Sequence, residues 1–297
     1  MKFSITSVLG AASTAILLAL SSVQVSALPT NPIAGSVTLE KRDIESLNNY
    51  DCKLTAAHPR PVVLIHGTAH SVDSWETFAP VLIKRGYCVF GMTYGKYKNI
   101  PIFGGLAPIE DNAKEVGDFI NNVLAKMKVS QVDVVGHSQG GILARYWIKY
   151  LDGAGKVYRH VGISPINHGT TLSGIITLGK AVGLWDPLQS SFDSVAPSLY
   201  QMMTNSTFMQ KLNAGGDTVP GVIFSTIATK YDEVVTPWET CYQTGSGVTN
   251  VLLQDLCAAS LNEHLLITES KVVLQFVLNQ LDPSTAKTAN CLSEILL

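Results

Sequence analysis

Charged side chains make up only 15% of the 297 residues, and nowhere do Lys and Arg gather into a stripe or a block. That excludes the electrostatic footprint of a nucleic-acid-binding surface. The five cysteines contain no CxxC pair and the seven histidines are scattered. No group of His, Cys, Asp or Glu has metal-ligand spacing, so no protein-bound metal and no other cofactor is expected. Internal repeats and low-complexity tracts are missing. Beyond residue 20 no apolar run is long enough to span a bilayer.

What the chain does have begins at its N-terminus. Lys2 precedes an apolar stretch from Val8 to Leu20, and Val25-Ser26-Ala27 is a small-residue cleavage signal. Residues 1–27 therefore read as a secretory signal peptide, and the protein as secreted and extracellular. The polar segment 28–42 ends in the dibasic pair Lys41-Arg42 and reads as a pro-segment cut by a Kex2-like protease. The plainer alternative is an uncut tail. Removing 1–42 takes away Lys2, Lys41, Arg42 and Glu40, which leaves 18 basic against 22 acidic residues of the original 21 and 23. Residues 43–297 are enough for one sizeable α/β domain. Asn205-Ser206-Thr207 is the only N-x-S/T acceptor, which makes Asn205 a candidate glycan site. Five cysteines in a secreted chain suggest two disulfides and one thiol left over. A Cys241–Cys257 bridge would tie together two loops that the chemistry below singles out, leaving Cys291 as the odd thiol.

Apolar strand-like runs alternate with helical spacing along most of this length. Val62–Ile65, Tyr87–Met92, Val132–Val135, Val157–Ser164, Val222–Ala228 and Val248–Leu253 read as strands. Ile109–Met127, Ile142–Leu151 and Glu263–Leu281 read as helices. The alternation predicts a mostly parallel central sheet flanked by helices. Residues 165–219 interrupt the rhythm. Ile175, Ile176, Leu178, Val182, Leu184, Trp185, Met202, Met203 and Phe208 make this insertion too apolar for an ordinary loop. It reads as a small helical cap, either packed as core or lining an acyl channel beneath a lid.

The chemistry starts at Gly136-His137-Ser138-Gln139-Gly140, a G-x-S-x-G between a strand and a helix. Small flanking residues let the backbone turn sharply there, so the serine is presented in strained geometry at the top of a sheet. A serine hydroxyl needs a base, and the base needs an acid to orient it. In this architecture the chain order is Ser, then Asp or Glu, then His. Of the histidines after Ser138, His160 lies within a strand and His168 at the start of the insertion. His264 follows the last strand and is the base. The loop after the preceding strand, TKYDEVVTP, offers Asp232 and Glu233; the shorter Asp232 suits a fixed position, while Glu233 can reach solvent. Asp186, Asp193 and Asp217 fit less well. The oxyanion needs preorganised donors. The Gln139 backbone N–H is one, and the loop after the first strand, VVLIHGTAHS, offers the Thr68 N–H and its hydroxyl. His66 reads as a structural hydrogen-bond partner, and strand alternation aims His137 away from Ser138.

The segments PVVLIHGTAHSVDSWETFAPVLIKRGYCVFGMTYG, VVGHSQGG, ISPINHGTTLSG and YDEVVTP together resemble the secreted lipases of the α/β-hydrolase superfamily. The pattern is similar to the class 2 lipases of actinomycetes and, around SVAPSLYQMMTNSTFMQKLNAGG and DEVVTP, to the fungal lipase B type. The resemblance runs from about residue 50 to about 280. It implies the α/β-hydrolase fold and hydrolysis of carboxylic esters, with triacylglycerol the usual substrate class. It also implies Ser138, Asp232 and His264 as a triad, Thr68 and Gln139 as an oxyanion hole, and a Cys52–Cys88 disulfide. The chain departs from the lipase B type at the elbow, where Gly136-His137 replaces Thr-Trp, and in a shorter C-terminal extension. The expected partner is an ester or lipid substrate met at a lipid–water interface, with the chain a monomer. A short-chain or polyester esterase would use the same residues, and a non-catalytic lipid carrier could share the fold.

Overall fold

The computed structural model describes residues 44–97, 103–183 and 196–292. The expected signal peptide and pro-segment lie outside them, as do Leu184, Trp185, Asp186 and Asp193 of the insertion. Strand β1 (Val62–Ile65) leads through a 3-10 turn to α1 (Phe78–Lys84) and β2 (Val89–Gly91). Next come α2 (Ile109–Met127), β3 (Val132–His137), α3 (Gln139–Tyr150) and β4 (Val157–Ile163). The insertion carries α4 (Leu172–Ala181), α5 (Pro197–Gln201) and α6 (Thr207–Asn213). Then follow β5 (Ile223–Ala228), β6 (Thr249–Leu252), the single turn α7 (Leu253–Leu256) and α8 (Lys271–Leu281).

The six strands form one parallel sheet in the order β2-β1-β3-β4-β5-β6. Parallel neighbours need crossover connections, and helices supply most of them. The chain goes from β1 outward to β2 and then returns to β3 on the other side of β1. In open sheets of this kind, ligands bind at the carboxyl ends of the strands beside such a reversal. The pairings Ile65 with Gly136, Ile163 with Ile227 and Ala228 with Leu252 set the strand ends in one row.

Side chains alternate between the faces of a strand. Val62 and Leu64 therefore pack with Phe78, Leu82, Val273 and Val277 of α1 and α8. Val63 and Ile65 pack on the opposite face with Val116, Ile120, Ile142 and Leu143 of α2 and α3. Burial on both faces is why β1 reads as an unbroken apolar run. Ile175, Leu178, Met202 and Phe208 of the insertion belong to the α2–α3 side of the core. Arg145 of α3 is buried and donates to Asn167 Oδ1 at 2.8 Å, Asn213 Oδ1 at 3.1 Å and Asp217 Oδ1 at 3.3 Å, which clamps the end of the insertion onto α3.

Most strand ends shift by one or two residues from the sequence pattern, and two helix starts shift by more. Helix α3 begins at Gln139 rather than Ile142, because the chain enters it directly from Ser138. Helix α8 begins at Lys271 rather than Glu263: Ser270 caps it by accepting from the Val273 N–H, and Leu266–Glu269 form a separate 3-10 turn.

The cysteine pairing also needs correction. Cys52 is bridged to Cys88, and Cys257 to Cys291; Cys241 is a free, buried thiol. The expected Cys241–Cys257 bridge fails because the sheet lies between the two residues. Cys241 packs in the core on the α2–α3 side and Cys257 in the core on the α1–α8 side. The C-terminal segment instead folds back along α8, where Asn279 exchanges two hydrogen bonds with the Lys287 backbone, and this delivers Cys291 to Cys257. For a separation of 34 residues, loop closure stabilises the fold by about 4 kcal/mol in the chain-entropy model. Peptide mapping should recover a Cys257–Cys291 linked peptide. Cys241, whose pKa burial holds well above the ordinary thiol range, should resist thiol reagents until the protein is unfolded. A Cys241–Cys257 linked peptide would contradict this pairing.

Candidate active site

A single residue, Ser138, stands between β3 and α3, at φ 54° and ψ −122°. Such a conformation costs an L-residue about 1–3 kcal/mol and persists only where its surroundings over-determine it. Here the Ser138 N–H donates to Ile163 O at 3.0 Å, and its carbonyl accepts from the Gly141 N–H at 3.1 Å. The crossing of strand and helix is too close for side chains. A Cβ on Gly136 would stand 2.6 Å from Gly140 C and O, and one on Gly140 would collide with Ile65 O.

Three strand ends then converge. Asp232 follows β5, His264 follows β6 and α7, and both turn toward the serine. His264 Nδ1 donates to Asp232 Oδ2 at 2.8 Å, and its Nε2 accepts from Ser138 Oγ at 2.9 Å. Because the carboxylate can only accept, it fixes the proton on Nδ1 and leaves the Nε2 lone pair facing the hydroxyl. Asp232 is itself immobilised: its Oδ1 accepts from the Val234 N–H at 3.0 Å and the Val235 N–H at 2.6 Å. Ser138, Asp232 and His264 are all buried, whereas Glu233 beside them is exposed. Asp217 is held by Arg145 and His168, away from this group.

The loop after β1 lies against the elbow. A Cβ on Gly67 would come within 3.1 Å of Ser138 Cβ, so only glycine lets Thr68 reach this position. The amides of Ala69 and His70 donate to Gly104 O and Gly67 O, while that of Thr68 has no acceptor among the described residues. The Gln139 amide is in the first turn of α3, where no intrahelical carbonyl is available. The Gln139 side chain is fully tied down. Its Nε2 donates to Thr68 Oγ1 and Gly105 O, both at 2.9 Å, and its Oε1 accepts from Tyr94 Oη and Asn112 Nδ2. No pattern along the chain marks Tyr94, Gly105 or Asn112 for this role. Next to His264 and this loop lies an open depression of about 320 Å³, bordered by Ala69, His70, Phe103, Leu265 and Glu269.

The His137 ring is not turned away from the site as strand alternation suggested: it lies against Gly67, as Ser138 does, and reaches the loop that carries His264. Its Nε2 donates to His264 O at 2.9 Å, with the two ring centroids 5.0 Å apart. His66 has a structural place: it donates from Nδ1 to Gly67 O at 2.7 Å, accepts from the Tyr94 N–H, and stacks on the Tyr94 ring. Burial pushes the His66 pKa down to about 3 and that of His160 down to about 4. His70 falls to about 4 and His137 is lowered too, in both cases by burial and then by the neighbouring His264. These folded-state values lie below the unfolded value near 6.5, so the unfolded chain takes up protons first as pH falls. The stability they contribute is complete above pH ~6.5 and is lost as pH drops toward 4. Between pH 6.5 and 5, the fully buried His66 and His160 should each remove up to about 2 kcal/mol. Urea midpoints at pH 7 and pH 5 check this; equal midpoints would contradict it.

With this geometry in place, the chain can be set beside known proteins. The family described as lipase (class 2) matches residues 59–277. Among solved structures the chain is similar to lipase B of Aspergillus fumigatus, with a TM-score of 0.61 and 22% identity over 79% of this chain and 54% of that one. It thus spans about half the length of that relative. It is also similar to the mature form of the Bacillus licheniformis lipase BlEst2, with a TM-score of 0.56 and 16% identity over 77% of this chain and 94% of that one. At these identities the structural likeness shows the fold, the α/β hydrolase.

Proposed function

The chain belongs to the class 2 lipase family, a family of carboxylic ester hydrolases, and from that membership we propose that it is a secreted lipase acting on triacylglycerols through an acyl–Ser138 intermediate. The observation that carries the reading is the unbroken hydrogen-bond chain from Asp232 through His264 to Ser138. As Ser138 Oγ attacks the ester carbonyl, His264 Nε2 takes its proton, and the Asp232 carboxylate stabilises the imidazolium that forms. The oxyanion is met by the N–H groups of Gln139 and Thr68 and by the Thr68 hydroxyl. Collapse of the intermediate releases the alcohol, which takes the proton back from His264. Water then repeats the sequence and frees the carboxylic acid.

Supporting features accompany this core. The two disulfides fit an oxidising compartment, as does the N-terminal apolar stretch. Asn205 is exposed at the turn between α5 and α6, where a glycan could be attached. All three triad residues come from one chain, so a monomer suffices. Among the described residues no helix is long and apolar enough to cross a membrane.

A chain-length series on the purified protein tests the reading. A lipase should hydrolyse emulsified long-chain triacylglycerols as well as soluble butyrate esters. Activity confined to soluble short-chain esters would make it an esterase, and no hydrolysis of either would make it a carrier. The role of Thr68 has its own test. Thr68→Val keeps the backbone N–H and the branched shape but removes the hydroxyl, so kcat should fall by roughly 10²–10³-fold with KM little changed. Were the hydroxyl only a support for the Gln139 side chain, the melting temperature would drop and kcat would stay within a few-fold of the parent.

A further inference from the structure

The Thr68 hydroxyl has two partners, and their identities follow from an acceptor that cannot donate. The Gly105 carbonyl, 2.9 Å from the Gln139 amide, fixes the nitrogen of that amide on its side. The same Nε2 lies 2.9 Å from Thr68 Oγ1, so the threonine oxygen accepts there. Its one proton is therefore left for its other neighbour, Met202 Sδ, at 3.6 Å. Met202 caps the C-terminus of α5 and is fully buried. Its backbone is pinned, its N–H donating to Ser198 O and its carbonyl accepting from the Thr170 N–H. Ser198 Oγ in turn donates to Gly105 O, and Gln201 bonds the Ile109 N–H and Glu110. The cap thus holds the sulfur at one fixed place beside the oxyanion donors.

We propose that Met202 is a positioning residue, the resting acceptor of the Thr68 hydroxyl proton. The inference rests on the reading of Thr68 as an oxyanion donor. A thioether is a weak acceptor. The hydroxyl oxygen is held in place by Gln139 while its proton sits against a partner that is easily given up. Only interactions stronger in the transition state than in the ground state accelerate a reaction. A strong acceptor at position 202 would bind the proton in the ground state and subtract from what the oxyanion gains. The sulfur therefore orients the donor without competing for it.

The test is a mutant cycle on the purified enzyme with a soluble butyrate ester, measuring kcat, KM and melting temperature. Met202→Gln places an amide oxygen, a strong acceptor, near the sulfur's position. It should lower kcat by about 3–10-fold at nearly unchanged KM, the worth of one neutral hydrogen bond. In a Thr68→Val background the same substitution should have no further effect on kcat. Met202→Leu, which conserves volume but leaves the hydroxyl proton without its resting partner, should lower kcat about 2–3-fold, the low end of one hydrogen bond's worth, and should do so only while Thr68 is present. An equal loss from Met202→Gln in both backgrounds, or none in the parent, overturns the proposal. If Met202→Gln does not fold, the leucine variant decides: a small fall in kcat that vanishes in the Thr68→Val background supports the proposal, and an unchanged kcat or an equal fall in both backgrounds overturns it. A parental kcat in Thr68→Val alone removes the hydroxyl from the reaction and the proposal with it, while ester hydrolysis stands. A parent that neither hydrolyses the ester nor reacts with a fluorophosphonate fails the functional reading itself.

Discussion

Replacing Ser138 with alanine is expected to lower kcat on the order of 10⁶-fold while leaving the fold intact. The loss is large because the nucleophile, the base and the acid act as a unit, so removing one forfeits most of what the three achieve together. The residual rate, about 10³–10⁴-fold over water, would come from the oxyanion donors and from substrate binding. The fold should survive because the strained turn is held by backbone bonds to Ile163 and Gly141 and by glycine packing at 136 and 140, none of which needs the hydroxyl. Its removal leaves only the Nε2 lone pair of His264 without a partner. A melting temperature within a few degrees of the parent, with hydrolysis at background, is the outcome to look for. Activity within tenfold of the parent would move the reaction elsewhere.

Asp232→Asn is the more discriminating substitution, because it changes a proton and almost nothing else. Oδ1 of Asp232 accepts from two backbone N–H groups, so the asparagine must keep its oxygen on that side. Its NH₂ group is then forced toward His264 Nδ1, where the carboxylate oxygen now sits at 2.8 Å. A donor facing Nδ1 drives the imidazole proton to Nε2, the nitrogen that has to accept from Ser138. The wrong tautomer should lower kcat about 10⁴-fold, with KM close to the parental value. The buried geometry and the stability should change little. Assay at raised pH offers a second check, since hydroxide can partly replace the base. A loss below tenfold would mean that Asp232 does not orient His264.

Much of this arrangement was legible in the sequence where one periodicity ran between clear stops. Strand β1 and helix α2 have the bounds their patterns suggest, Val62–Ile65 and Ile109–Met127. The residues that converge at the strand ends were legible from chain order, because a parallel sheet with helical crossovers puts every strand's carboxyl end on one edge. Other features were not. Leu265, Leu266 and Ile267 continue the apolar spacing of α8 across a break that only the Ser270 cap reveals. Helix α1 carries a short apolar spacing, Phe78 to Leu82, and a stop at Gly86, too little to separate it from a loop. The cysteine pairing failed on a three-dimensional fact: closeness in sequence says nothing about which face of the sheet a loop returns to. Met202 could be read only as one more apolar residue of the insertion, since its contact with Thr68 joins positions 134 apart.

The central claim is that Ser138 is a nucleophile activated by His264. Mass spectrometry of the protein after reaction with a fluorophosphonate tests this most directly, because the probe bonds only to a serine whose proton a base removes. The expected result is one adduct per chain, on the peptide containing Ser138, with hydrolysis lost in step and labelling at least about 10³-fold slower in Asp232→Asn. An adduct on another residue, or full ester hydrolysis by a protein that carries none, would contradict it.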